Sequence, residues 1–110
     1  MLFANGIGLL EIDLLKIDAE GSDFDVLCGF SSMLSRGAID VIQFEYNNRT
    51  LLARIALLDF YDMLSDSYVI GRLMPKSVDF REYDLSMDNF LPGNFVAVKK
   101  DASTAKRLSR

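Results

Sequence analysis

Leu14-Leu15-Lys16-Ile17-Asp18-Ala19-Glu20-Gly21 carries an apolar strand directly into two acidic side chains, a glycine and the start of a helix. That succession points to an α/β fold with its chemistry at the strand end. In open parallel sheets, ligands gather outside the carboxyl ends of the strands, where variable loops rest on a rigid support. Read back to Ile12, the stretch Ile12 to Asp18 is nearly continuous in apolar character, which predicts a strand covered on both faces inside a parallel sheet.

Downstream, Gly21-Ser22 opens a helix, with Ser22 as its N-cap and Asp23 and Asp25 placed to meet the positive end of its dipole. Phe24, Leu27, Cys28 and Leu34 recur at helical spacing and predict its inner face. Arg36-Gly37 ends it, since glycine accepts the left-handed conformation of a helix C-terminus. Ala38 to Tyr46 is rich in β-branched and aromatic residues and reads as a second strand, ending in polar groups at Glu45 and Asn47. Strand, helix and strand in this order make a right-handed crossover unit.

Thr50 to Leu64 is helical again, with Leu51, Ile55, Leu58 and Met63 turned inward and Arg54 and Asp62 outward. Tyr68 to Leu73 predicts a third strand and Asn94 to Lys99 a last one. Without a helix between these two, antiparallel pairing is the simplest arrangement. Met74 to Pro92 reads as a long irregular loop carrying Phe80, Tyr83 and Phe90. Residues 1–100 form one domain by this reading, and the basic tail 101–110 adds a helical turn or is disordered.

The chain has 110 residues, half of them hydrophobic, and a net charge of −4. That balance argues against nucleic-acid binding, which calls for a basic face. One cysteine excludes an internal disulfide, and the absence of histidine removes histidine-based triads, general bases and metal ligands. Cys28, on the expected inner face of its helix and with no histidine to activate it, reads as an inert core thiol. The apolar runs are too short to span a bilayer and the N-terminus lacks the pattern of a signal peptide, so no membrane association and a cytoplasmic location are expected.

The block Ile12 to Gly21, with Val26-Leu27-Cys28-Gly29 after it and the Glu45 strand beyond, resembles the C-terminal half of FkbM-type methyltransferases, which depend on S-adenosylmethionine. The resemblance spans Ile7 to Lys99. It implies a partial Rossmann-like class I methyltransferase sheet, strands four to seven, parallel with an antiparallel last strand and flanked by helices. It also implies O-methylation of a small molecule or sugar. The family's first strand and glycine-rich cofactor turn are not matched: Gly6-Ile7-Gly8 has no strand ahead of it and no evident helix behind it. The cofactor-binding residues are therefore unassigned, and the chain alone is expected to be inactive.

For the site, Asp18, Glu20 and Glu45 are the candidate catalytic residues, orienting a hydroxyl and accepting its proton, and Asn47 and Tyr46 the candidate substrate-binding ones. A structural reading stands beside this: Asp18 caps backbone amides of the turn while Glu20 and Gly21 set the helix entry. No metal site is assigned; a divalent cation among these oxygens would be magnesium or calcium rather than zinc. Lys16, costly to bury unpaired, is expected to reach the surface or to pair with Asp13 or Asp40, pointing away from the strand-end acids. Phe80, Tyr83 and Phe90, with Tyr46, could stack on an acceptor or serve as core or loop anchors. The alternative function is a non-catalytic α/β interaction module. A partner, a second copy or the family's N-terminal half would then pair along the open edge of the Leu14 strand.

Overall fold

A computed structural model describes residues 2–4, 12–89 and 91–100. The strands are β1 (Leu2–Ala4), β2 (Ile12–Ile17), β3 (Ile39–Tyr46), β4 (Tyr68–Leu73), β5 (Val78–Phe80) and β6 (Gly93–Lys99). The helices are α1 (Asp23–Gly29), α2 (Ser31–Ser35), α3 (Asn48–Leu52) and α4 (Leu57–Leu64), with a 3-10 turn at Leu85–Met87. The six strands form one open mixed sheet in the order β1-β2-β3-β6-β4-β5.

β2 and β3 are parallel neighbours, with Leu15 opposite Ile42 and Lys16 opposite Gln43, joined by the α1–α2 crossover. β6 inserts between β3 and β4 and runs antiparallel to both, as expected for the last two strands of the sequence. Two short strands go beyond the expected set. β5 pairs antiparallel with β4 inside the stretch read as irregular loop. Its three residues are too few to show an alternating pattern, and it forms because Gly71 lets it approach: a Cβ there would lie 2.6 Å from Val78 Cγ1. β1 pairs antiparallel with β2, Leu2 opposite Ile17 and Ala4 opposite Leu15. A strand therefore does precede Gly6-Ile7-Gly8, which itself lies outside the described residues, and part of the β2 edge expected to be open is occupied.

Side chains alternate between sheet faces along each strand. Leu15, Ile17, Ile42, Phe44, Phe95 and Ala97 lie on one face and share a buried core with Leu27 of α1, Leu34 of α2, and Leu57, Phe60 and Leu64 of α4. Phe44 stacks on Phe60 at 4.2 Å between ring centroids, and Phe24 meets Phe60 edge-on at 5.4 Å. Each such burial is worth about 2–3 kcal/mol. The other face carries a smaller cluster, Val78, Val96 and Val98 with Val41, Val69 and Phe80 packed on it. β2 is not covered on both faces along its length, since Asp13 and Lys16 are exposed.

The helices are shorter than their periodicity predicts. The first breaks at Phe30, whose φ of −101° and ψ of 14° leave the helical region directly after Gly29. Ser22 makes no capping bond. Cys28 is exposed, not part of the core, because Phe24 and Leu27 supply the inner face. The second breaks at Arg54, which adopts a positive φ of 62°. α4 restarts in a new phase, with Asp59 accepting a bond of 2.7 Å from Ala56 N. The inner residues become Leu57, Phe60, Tyr61 and Leu64, and Leu58 turns to solvent. Gly37, at φ 67°, ends α2 as expected.

Candidate functional site

The turn after β2 is built on two consecutive left-handed residues, Glu20 at φ 49° and Gly21 at φ 101°. Glycine is required at the second: a Cβ would sit 3.0 Å from Arg49 Cβ and 3.1 Å from the Arg49 carbonyl oxygen. The turn thus lies against the start of α3. Arg49 Nη1 also meets Glu20 Oε2 at 2.9 Å, but both side chains are more than half exposed, so this ion pair contributes at most about 1 kcal/mol.

Asp23 holds the two strand ends together. Its side chain is 1% exposed; one carboxylate oxygen accepts from Ala19 N at 3.0 Å and the other from Glu45 N at 2.8 Å. A buried carboxylate is tolerated when its oxygens are hydrogen-bonded, and here both are. At the end of β3, Asn47 Nδ2 donates to Glu45 Oε1 at 2.6 Å. Asn47 Oδ1 accepts from Arg49 N and Thr50 N, while Asn47 N donates to Thr50 Oγ1 at 3.2 Å. This reciprocal pair caps α3. Asn47 is thereby committed to the α3 cap and to orienting the Glu45 carboxylate.

Between these ends lies a cavity of about 240 Å³, lined by Lys16, Ile17, Asp18, Gln43, Glu45 and Asn94. Register explains the grouping. Lys16 is opposite Gln43 and Glu45 is opposite Asn94, so β2, β3 and β6 each contribute polar side chains to one face. Asp18 and Glu45, two of the three candidate catalytic residues, meet here; Glu20 lies outside the lining, paired with Arg49. Lys16 shares the cavity with Asp18 instead of pointing away, and Asp40 pairs with Lys99 Nζ at 3.4 Å. Tyr46 is fully buried in the core.

Tyr46 belongs to a second polar junction. Asp88 Oδ1 accepts from Leu57 N at 2.6 Å and Oδ2 from Leu58 N at 3.2 Å, so it caps α4 from thirty residues downstream. The hydroxyls of Tyr83 and Tyr46 donate to the same carboxylate. Partial burial works against the charge of Asp88, but the bonds from Tyr83, the two amides and Tyr46 prevail and hold its pKa below the usual value. Tyr83 is pushed up to about 12 by partial burial and by its bond to Asp88. Tyr83 is thereby a loop anchor; Phe90 lies outside the described residues.

A larger cavity, of about 470 Å³, opens among α4, β4 and β5 and is lined by Tyr61, Tyr68, Phe80 and Tyr83 among others. The hydroxyl of Tyr61 is used on the Arg81 carbonyl and that of Tyr68 on the Ile39 carbonyl. Burial, with a smaller contribution from neighbouring acids, pushes both phenols up to about 12. None of the strand-end carboxylates reaches this cavity. Chemistry outweighs size here, and the smaller polar cavity is the candidate site.

Sequence reasoning did not single out Gln43, Asn94 or Asp88, and it gave Asp23 only the helix dipole. Gln43 was within reach, because alternation along Ile42-Gln43-Phe44-Glu45 sets it on the Glu45 face. Asn94 needed the β3–β6 register, and Asp88 needed the tertiary path of the loop. Among the described residues, no group of three or more acidic, cysteine or histidine side chains could hold a metal ion. No helix among them is long and apolar enough to cross a membrane.

A model of the methyltransferase FkbM domain matches residues 2–67, more than half of the chain. No curated protein and no solved structure matches it.

Proposed function

The chain belongs to the FkbM methyltransferase family, and on that premise we propose that it carries the acceptor-side part of an S-adenosylmethionine-dependent methyl-transfer site, acting on a hydroxyl oxygen of a small molecule or sugar. The observation that carries this reading is the meeting of Asp18 and Glu45 at the carboxyl ends of two parallel neighbours, over one cavity. The strand order β2-β3-β6-β4, with β6 antiparallel, supports a Rossmann-like methyltransferase sheet in which these are strands four, five, seven and six.

When bound, S-adenosylmethionine supplies an electrophilic methyl group on a sulfonium. The residues present fit its reactive end, since two carboxylates at one cavity favour a cation, whereas 240 Å³ is below the size of pocket that encloses a drug-sized molecule. Asp18 and Glu45 therefore serve the reacting end, and the nucleoside needs further surface.

The work of the chain itself is placement. Asp18, open to the cavity, orients the acceptor hydroxyl and takes its proton. Glu45, held by Asn47, fixes the opposite side. Displacement reactions of this kind gain chiefly from proximity and alignment, so a rigid floor of paired strands is the appropriate support.

Titration calorimetry of S-adenosylmethionine into the purified chain, with its mass taken by light scattering, tests the reading. Saturable binding that weakens in Asp18→Ala would show that the reacting end of the donor is held here; no binding by a folded chain at any mass counts against donor binding by these residues. A second reading, strand pairing with a partner or a second copy along β2, draws on one observation. Among the described residues, β1 pairs only with Leu15 to Ile17 and leaves Ile12 to Leu14 beyond its reach. A dimer mass that falls to monomer when Leu14→Pro is introduced would support it.

A further inference from the structure

We propose that Lys16, Gln43 and Asn94 join Asp18 and Glu45 in a recognition surface for a neutral polyhydroxylated ligand of single-ring size. The proposal rests on the reading above for calling that ligand the acceptor, and on the cavity alone for its binding.

Among the described residues, five of the six that line the cavity are polar, and Ile17 is the only apolar one. They supply complementary hydrogen-bonding types: Lys16 only donates, Asp18 and Glu45 as carboxylates only accept, and the amides of Gln43 and Asn94 do both. A hydroxyl also does both. Adjacent hydroxyls on one ring can therefore each give a proton to a carboxylate and accept one from an amide or from Lys16. A flat aromatic or aliphatic ligand would displace water from these groups and offer no hydrogen bond in exchange, which is costly for polar side chains. An anionic ligand would face two carboxylates against one ammonium.

Polar side chains on the open face of a sheet often serve only to keep it wetted. Two features set this cluster apart. It is concave, with about 240 Å³ of space, room for one ring and below the range that holds drug-sized ligands. It is also local: Val96 stands directly opposite Gln43, and farther along the same face the strands carry Val41, Val69 and Val98. The polarity is concentrated where β2, β3 and β6 meet, with Lys16 opposite Gln43 and Asn94 opposite Glu45 fixing the spacing. Asp23, by clamping Ala19 N and Glu45 N, holds the two carboxylate-bearing ends in place without touching the ligand.

Nuclear magnetic resonance on the labelled full chain tests this, with methyl β-glucopyranoside as the polyol probe and cyclohexanol as a one-hydroxyl probe of the same ring size. Saturable shifts of the Gln43 and Asn94 side-chain amide signals are expected with the glucoside and none with cyclohexanol. Asn94→Ala and Lys16→Met, both at exposed positions, should each weaken the glucoside about three- to tenfold, the range of one lost hydrogen bond. Their dispersed spectra confirm folding. No saturable shift at these side chains, an equal response to cyclohexanol, or unchanged affinity in both variants overturns the proposal. Donor titration of the same samples separates the two claims: glucoside binding without S-adenosylmethionine binding upholds this surface and counts against the methyl-transfer reading alone.

Discussion

Two carboxylate junctions stand in this small sheet, and they use the same chemical group in opposite ways. Around the strand-end cavity, Asp18 is exposed and Glu45 half-buried, and both face open space. At the α4 junction, Asp88 spends its two oxygens on Leu57 N, Leu58 N and the hydroxyls of Tyr83 and Tyr46. Asp23 behaves as Asp88 does, although it joins the two strand ends that carry the candidate site. A carboxylate that takes two backbone amides stabilises the fold, and one that lines a cavity is placed to meet a ligand. Each region can be broken separately.

The largest effect is expected from Asp23→Ala. It strands the amides of Ala19 and Glu45, each costing about 1–3 kcal/mol when left without a partner in a buried setting, so about 2–6 kcal/mol in all. Thermal or urea unfolding measures it. A loss below about 1 kcal/mol would mean that water replaces the carboxylate and that Asp23 is not the clamp.

Asp88→Ala ranks next, at about 1–2 kcal/mol, the usual cost of removing a helix cap. It also carries a pH signature. Because the folded-state pKa of Asp88 is depressed below 3.8, its contribution is present above that value and is lost as pH falls through the lower folded value. Acid titration of stability should therefore converge for wild type and variant at low pH and separate as pH rises past 4. Parallel curves across that range would remove the charge of Asp88 from the account.

The same contrast explains how far the sequence could be read. The parallel pair β2–β3, the crossover between them and the meeting of Asp18 with Glu45 follow from a strand running into acids, a helix and a second acid-ended strand. The antiparallel pairing of β4 with β6 followed from the lack of a helix between them. What escaped reading depends on contacts distant in sequence. Asp88 caps a helix that begins at Leu57, and no local pattern records that bond. Arg54, at φ 62°, breaks what periodicity alone continues, because a turn between two short helices reads like one helix until the phase shift of Leu58 is seen. Cys28 lies outside the core it was expected to join for a related reason: burial is decided by which neighbours pack over a position, and residue type only biases it.

The smallest stability effects should fall on the residues with most to do. Asp18→Asn removes an exposed charge with its volume nearly unchanged, and such changes usually stay within about 0.5 kcal/mol. Glu45→Gln keeps an acceptor for Asn47 Nδ2 and should cost little more. If the division between structural and cavity-lining carboxylates is right, both variants melt near the wild-type temperature while losing affinity for the donor or the glucoside probe. A melt lowered as far as that of Asp23→Ala would place Asp18 or Glu45 among the structural carboxylates. The cavity would then be a consequence of sheet packing, because a group kept for binding has no reason to be indispensable to the fold.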